Sequence, residues 1–201
     1  MSTIGILAYG SLIEDPGKEI KPIIRERKEG ITTPFSIEFA RSSSTRDGAP
    51  TVVPVASGGN PVNATILVLE SGISPDEAED LLWRRETRKE CSDKHYTRPS
   101  VPTPNKVVVE RLRDFAEINI VIYTILGENI TNPTAEKLAD LAIDSAKAQA
   151  GRDVKDGISY LISVKRQGIS TPLMPAYETA VLQKTSTSNL EDALSWCRGN
   201  P

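Results

Sequence analysis

Apolar and polar positions alternate in a way that predicts strands over the first two-thirds of the chain. A β-branched run at residues 3–8 predicts the first strand. Further strands are predicted at residues 34–40, 50–55, 62–69, 96–101, 106–112 and 118–126. The glycine-rich stretch 57–60 predicts a hairpin between the strands at 50–55 and 62–69. In the charged stretch 18–28, Pro22 would make any helix begin late.

Helical patterns appear once within this strand-rich region and then dominate the last third. Ser74-Pro75-Asp76-Glu77 fits the start of a helix over residues 75–88, because serine suits the N-cap and proline the first turn. From residue 132 onward the apolar spacing becomes helical, with Gly151 as a plausible stop. Further helices are predicted at 157–167 and 190–198.

Strands followed by helices predict an α+β fold rather than alternating βαβ units. We expect a single structural domain, with a β core over residues 1–130 that carries the inserted helix 75–88. Residues 131–201 are expected to form a helical extension packed on that core.

Composition narrows the classes of function. The 201 residues carry a net charge of −3, with 38% hydrophobic and 25% charged residues, which is typical of a globular protein. Without a basic patch or many aromatic residues, we expect no nucleic-acid partner. No apolar stretch approaches membrane-spanning length, so we expect no membrane partner and a cytoplasmic location.

Metal and triad chemistry are poorly supported by the side chains available. Cys91 and Cys197 are far apart in sequence; they could form one disulfide, but we expect two reduced thiols. His95 is the single histidine, which argues against a zinc site and against a Ser-His-Asp triad.

The first candidate site is Tyr9-Gly10-Ser11-Leu12, which follows the first predicted strand. Glycine lets the backbone bend and approach a ligand, and the following N–H groups can converge on a negatively charged oxygen. The same four residues also fit an ordinary strand-to-turn junction.

The second candidate is Glu86, near the end of the inserted helix. Helical spacing continues the apolar stripe of Ala78, Leu81 and Leu82 toward this residue. A partly desolvated carboxylate there would suit general acid–base chemistry. Arg84, Arg85 and Arg88 lie nearby, so a glutamate in a solvated ion pair is the alternative.

Together these two segments resemble the γ-glutamylcyclotransferase superfamily, which includes the ChaC-type enzymes. Tyr9-Gly10-Ser11-Leu12 resembles its signature loop, and Leu82-Trp83-Arg84-Arg85-Glu86-Thr87 is similar to its Leu-x-x-Arg-Glu helix end. The match departs from the family before Tyr96, where the connection is longer and His95 replaces a glycine. The resemblance implies that Glu86 is the catalytic residue.

Two weaker similarities extend over more of the chain. Arg41 and residues 48–69 resemble the family's middle hairpin, although Ala64 stands where a glycine is usual. Tyr160 resembles a tyrosine near the family's site, with an ordinary core aromatic as the alternative. The resemblance implies that the substrate is bound by Tyr9, Gly10, Ser11, Leu12, Arg41 and Tyr160.

The resemblance also implies a fold and a reaction. The fold would be a small mixed β-barrel, closed or nearly closed, flanked by helices. The reaction would cyclise a γ-glutamyl amide or peptide, glutathione among the candidates, to 5-oxoproline without a metal or cofactor. The alternatives are a γ-glutamylamine cyclotransferase acting on another amine-bearing substrate, and a non-catalytic small-molecule-binding or interaction domain of the same fold.

Overall fold

A computed structural model describes residues 2–199. The chain divides into two compact units. The first holds the described residues up to Thr33 together with Asn63–Gly127, and the second holds Pro34–Val62 together with the described residues from Glu128 onward.

The first unit contains a five-stranded sheet and two helices. Its strands are β1 (Ile4–Ala8), β2 (Ile24–Thr32), β5 (Asn63–Leu69), β6 (Val108–Phe115) and β7 (Ile118–Ile125), and its helices are α1 (Ser11–Glu14) and α2 (Pro75–Glu86). The second unit contains β3 (Ile37–Ser43), β4 (Ala49–Pro54), α3 (Ala135–Lys147), α4 (Gln149–Arg152), α5 (Gly157–Arg166), α6 (Met174–Thr185) and α7 (Leu190–Gly199).

The first strand lies at the centre of the five-stranded sheet, whose order is β2-β5-β1-β7-β6. Strand β1 runs antiparallel to β5 and parallel to β7, so Ile6 pairs with Leu67 on one side and with Ile122 on the other. All five residues of β1 are buried, which is expected of a central strand. Helix α2 packs on this sheet and completes its apolar core.

The α+β class is confirmed, but the sheet is not a closed barrel. Among the described residues, β2 and β6 are the two edges of an open sheet, and β3 pairs with β4 in a separate two-stranded sheet. Strand β2 carries exposed charged residues, a feature that keeps sheet edges from pairing with other chains. Hydrophobic periodicity identifies strands but carries no information about closure.

Three local predictions are also corrected. Residues 50–55 and 62–69 form no hairpin with each other, because β4 pairs with β3 whereas β5 pairs with β1 and β2. Residues 18–28 contain a 3₁₀ turn at Lys21–Ile23 followed by β2 rather than a late helix. Residues 96–101 form no strand, in keeping with the prolines of this stretch.

Two helices of the second unit, α3 and α5, begin at residues whose side chains cap them. Thr134 Oγ1 accepts a hydrogen bond from the Lys137 N–H at 3.3 Å, and Asp156 Oδ1 accepts one from the Ser159 N–H at 2.8 Å. The predicted helices at 157–167 and 190–198 are confirmed as α5 and α7, whereas α3 ends before Gly151. In the described part of the chain, no helix combines the length and apolar character needed to cross a membrane.

Candidate functional site

The chain turns sharply where the central strand ends. Strand β1 stops at Ala8, and Gly10 adopts φ 60° and ψ −136°, a conformation that glycine reaches without steric cost. Helix α1 begins at the next residue, and no described side chain caps its first turn. The first N–H groups of a helix lack intrahelical acceptors, and Ser11 and Leu12 stand at that position in α1. The Tyr9 hydroxyl donates a hydrogen bond to the Thr124 carbonyl oxygen at 3.3 Å.

Helix α2 forms as the sequence predicts and carries Glu86 to its last position. Ser74 Oγ accepts a hydrogen bond from the Glu77 N–H at 3.1 Å, and Pro75 occupies the first turn. Ala78 and Leu82 are fully buried against the sheet. The Glu86 side chain, one turn further on, retains 14% of its exposure, so its carboxylate is largely withdrawn from solvent.

Arg85 connects this carboxylate to the chain segment that follows the loop. Its Nη1 donates to Glu86 Oε1 at 2.6 Å, while its Nε and Nη2 donate to the Asp15 carbonyl oxygen at 3.1 and 2.5 Å. Asp15 is the residue at which α1 ends. One guanidinium therefore joins the candidate acid–base residue to the helix that starts in the Tyr9–Leu12 loop.

Two further contacts hold the same segment against the end of α2. Arg84 donates to both carboxylate oxygens of Glu19, with Nε–Oε2 3.0 Å and Nη2–Oε1 2.9 Å. The Arg84 hydrogen bond holds the pKa of Glu19 below its ordinary value and raises the pKa of Arg84 itself. The Lys18 N–H donates to Glu90 Oε1 at 2.5 Å. The segment after α1 is thus attached to the α2 terminus at three points.

The two remaining site predictions, Arg41 and Tyr160, lie in the second unit. Arg41 is half-buried on β3, and burial lowers the pKa of its guanidinium. Tyr160 is 7% exposed and meets the Phe39 ring edge-on, with the ring centroids 6.3 Å apart. The Arg46 guanidinium carbon lies 5.2 Å from the Tyr160 ring centroid. These contacts fit the interpretation of Tyr160 as a core aromatic residue.

His95 takes part in a side-chain pair rather than in a cluster. Its Nδ1 lies 2.6 Å from Asp80 Oδ2, and its own side chain is 78% exposed. Within residues 2–199, no group of three or more His, Cys, Asp or Glu side chains is arranged to hold a metal ion. Cys91 and Cys197 are free, the first exposed and the second buried.

Sequence reasoning missed the partners of the two arginines. Neither Glu19 nor the Asp15 carbonyl stood out, because both lie about seventy residues from α2 in sequence, 65 positions from Arg84 and 70 from Arg85 respectively. The signal in the sequence was the pair Arg84 and Arg85 itself, which stands next to Glu86 at a helical position expected to be partly buried.

Neither a scan against models of known protein families nor a search of curated proteins finds a match to this chain.

Proposed function

We propose that the chain is a γ-glutamylcyclotransferase-like enzyme in which Glu86 is the general acid–base. The observation that carries this proposal is the Arg85 bridge. It links the Glu86 carboxylate to the Asp15 carbonyl at the end of α1, the helix that begins in the Tyr9–Leu12 loop. Both the end of α2 and this loop resemble the same enzyme superfamily.

The proposed reaction needs only the substrate's own nucleophile. The α-amine of a γ-glutamyl amide attacks its γ-carbonyl carbon, a new C–N bond closes the five-membered ring, and the bond to the leaving nitrogen breaks. The substrate nitrogen loses two protons as the α-ammonium becomes the ring N–H. Glu86 accepts one of them and delivers it to the leaving nitrogen, and the other protonates the released amine or passes to solvent. The products are 5-oxoproline and the free amine or shorter peptide.

The surroundings of Glu86 shield its carboxylate from solvent and hold it in one orientation. Its low exposure, 14%, removes most of the water that would weaken a hydrogen bond to the substrate. Arg85 fixes the orientation of the carboxylate from the same helix at 2.6 Å. Arg85 is in turn fixed by the Asp15 carbonyl, so the group is held before any substrate arrives.

The loop would supply the anion-binding half of the site. At the start of α1, backbone N–H groups point out of the helix, where they can receive the substrate α-carboxylate or the oxyanion of the transition state. Only glycine tolerates the backbone conformation of Gly10 without strain, so this geometry depends on its identity. Tyr9 would line the same space.

The decisive experiment measures 5-oxoproline release from a panel of γ-glutamyl compounds, including glutathione and γ-glutamyl amines. We expect the wild-type chain to turn over at least one compound and Glu86→Gln to lower kcat by about a hundredfold or more. Because glutamine preserves size but removes the charge that Arg85 binds, we expect the circular dichroism spectrum to stay close to that of the wild type and the melting temperature to fall.

Glu77→Gln is the matched control. Glu77 is an exposed glutamate on the same helix, so the same chemical change there should leave activity intact. Full activity in Glu86→Gln would overturn the assignment of the residue. Turnover of γ-glutamyl amines but not of glutathione would favour the amine-specific alternative.

The non-catalytic alternative rests on a specific contact. A glutamate whose carboxylate is already bound by Arg85 can be wholly structural. That alternative predicts no 5-oxoproline from any compound of the panel.

A further inference from the structure

The second unit contains a cavity of about 600 Å³ that lies apart from Glu86 and its loop in sequence. Its walls come from β3, the turn after β4, residues 128–133 and the residues that precede α6. The volume falls in the range of sites that take small molecules. Ser57 and Gly58 at its rim are exposed, so the cavity is accessible from solvent.

The wall of this cavity includes a buried carboxylate. Glu38, on β3, is only 3% exposed. Its Oε1 accepts hydrogen bonds from the Phe39 N–H at 2.7 Å and the Thr171 hydroxyl at 2.5 Å, and its Oε2 accepts one from the Leu173 N–H at 2.9 Å. A carboxylate offers two acceptor positions on each oxygen, so Oε2 keeps one position to spare.

All three of these donors are uncharged groups. Among residues 2–199, no Lys, Arg or His forms an ion pair with Glu38. Burying a carboxylate without a compensating cation is costly, which is why buried charges are usually paired. Glu38 therefore has hydrogen-bond donors but lacks a counter-charge.

The rest of the cavity wall adds to the negative potential. Glu128 also lines it, and none of its described lining residues is basic. Val55, Ile130 and Pro172 provide apolar surface around the two carboxylates. This combination suits a ligand that has a cationic head and an apolar body.

We propose that this cavity binds a small organic cation whose ammonium or guanidinium group donates to Oε2 of Glu38. The bound cation supplies the counter-charge that Glu38 lacks, and the apolar wall holds the attached carbon chain. The site is independent of the proposed chemistry at Glu86, and it is tested by binding rather than by turnover.

The test uses probes that differ only in the head group. The full chain is titrated with hexylamine, hexanol, hexanoate and agmatine, and binding is followed by calorimetry and by NMR. We expect the amine and agmatine to bind and the alcohol and carboxylate to bind at least about tenfold more weakly. The backbone amides of Phe39 and Leu173 should shift on binding, because they donate to the carboxylate that receives the cation.

Three variants separate the roles of the cavity residues. Glu38→Gln should weaken amine binding by about tenfold or more, and Glu128→Gln by a smaller factor, because Glu128 is exposed and screened. Ser57→Trp should obstruct the rim and weaken binding while leaving Glu38 and its donors intact; it keeps the proposal testable should Glu38→Gln fail to fold. Glu77→Gln should bind the amine as the wild type does, because Glu77 is an exposed residue of α2 and does not line the cavity.

Four outcomes would overturn the proposal. The first is that the amine does not bind up to about 10 mM, and the second is that amine and alcohol bind with equal affinity. The third is that Glu38→Gln and Ser57→Trp both bind the amine as tightly as the wild type. The fourth is that the amide shifts are confined to residues away from Phe39 and Leu173. Any of them would leave Glu38 as an anchor that ties β3 to the residues before α6.

Discussion

The guanidinium of Arg85 donates two hydrogen bonds to the carbonyl oxygen of Asp15, 70 residues earlier in the chain. The same guanidinium donates to Glu86 Oε1. One planar side chain at the end of α2 therefore contacts both the Glu86 carboxylate and the residue at which α1 ends. Only arginine can make this set of contacts, because lysine lacks the rigid fork of donors.

Replacing Arg85 by lysine should therefore be costly even though the charge is kept. We expect a loss of about 1–2 kcal/mol in the free energy of unfolding, since at least two hydrogen bonds to Asp15 are broken. If Glu86 is catalytic, kcat should fall as well. Urea denaturation and the 5-oxoproline assay measure the two effects. Arg88→Lys is the control, because Arg88 is exposed two residues past α2, and an effect of similar size there would contradict the argument.

The Glu19–Arg84 pair should make stability depend on pH. The Arg84 hydrogen bond lowers the folded-state pKa of Glu19 below its ordinary 4.5. The pair thus makes its full contribution to the free energy of unfolding above pH 4.5. This contribution is lost as the pH falls through the lowered folded-state pKa of Glu19. Glu19→Gln should cost about 2 kcal/mol or more at neutral pH, because it removes the carboxylate to which the buried Arg84 guanidinium donates two hydrogen bonds.

Unfolding curves at neutral and acidic pH would check this prediction. The difference between wild type and Glu19→Gln should shrink as the solution is acidified. Glu117→Gln is the comparison, because Glu117 forms an ion pair with Lys28 but is 88% exposed, and it should change stability much less. A difference that stays constant with pH would show that the effect of Glu19 is not electrostatic.

Gly10→Ala should destabilise the first unit by about 1–3 kcal/mol, because a Cβ is strained at φ 60° and ψ −136°. The variant should also lose activity if the following N–H groups bind the substrate. Gly30→Ala is a matched strain control, since Gly30 has φ 71° with open space around it. If Gly10→Ala and Gly30→Ala have equal stability and equal activity, Gly10 has no specific role in the proposed reaction.

The Tyr177 hydroxyl is buried without a hydrogen-bond partner among the described residues. Burial also raises the pKa of this phenol. Tyr177→Phe removes the unsatisfied group, so it should raise the free energy of unfolding by about 1 kcal/mol. Tyr96→Phe should do the opposite, because the Tyr96 hydroxyl accepts a hydrogen bond from the Val109 N–H at 3.0 Å. Thermal melts of the two variants should move in opposite directions.

Features fixed by local chemistry could be predicted from the sequence. The Ser74 cap determines the start of α2. The apolar, β-branched run of residues 3–8 forms a buried strand because its sequence favours no other local structure. The helical spacing that carried the apolar stripe to Glu86 depends only on α-helix geometry, and Glu86 is largely withdrawn from solvent there.

Features that depend on pairing between distant segments could not be predicted. Residues 50–55 have the pattern of a strand, but the pattern does not say whether the partner is β3 or β5. Glu38 occupies an alternating strand where a polar residue is expected to face solvent, yet it is buried. The donors at Thr171 and Leu173, more than 130 residues away, satisfy its carboxylate together with the Phe39 N–H.

The central position of β1 has a consequence for the order of assembly. Both of its neighbours, β5 and β7, are synthesised later, and the parallel pairing with β7 needs residues up to 122. During translation both edges of the first strand therefore stay unpaired until β5 and β7 have been synthesised. This slows folding and leaves the strand open to pairing with other segments or other chains. The Tyr9–Leu12 loop directly follows that strand, so it can take its final position only after most of the first unit has emerged from the ribosome.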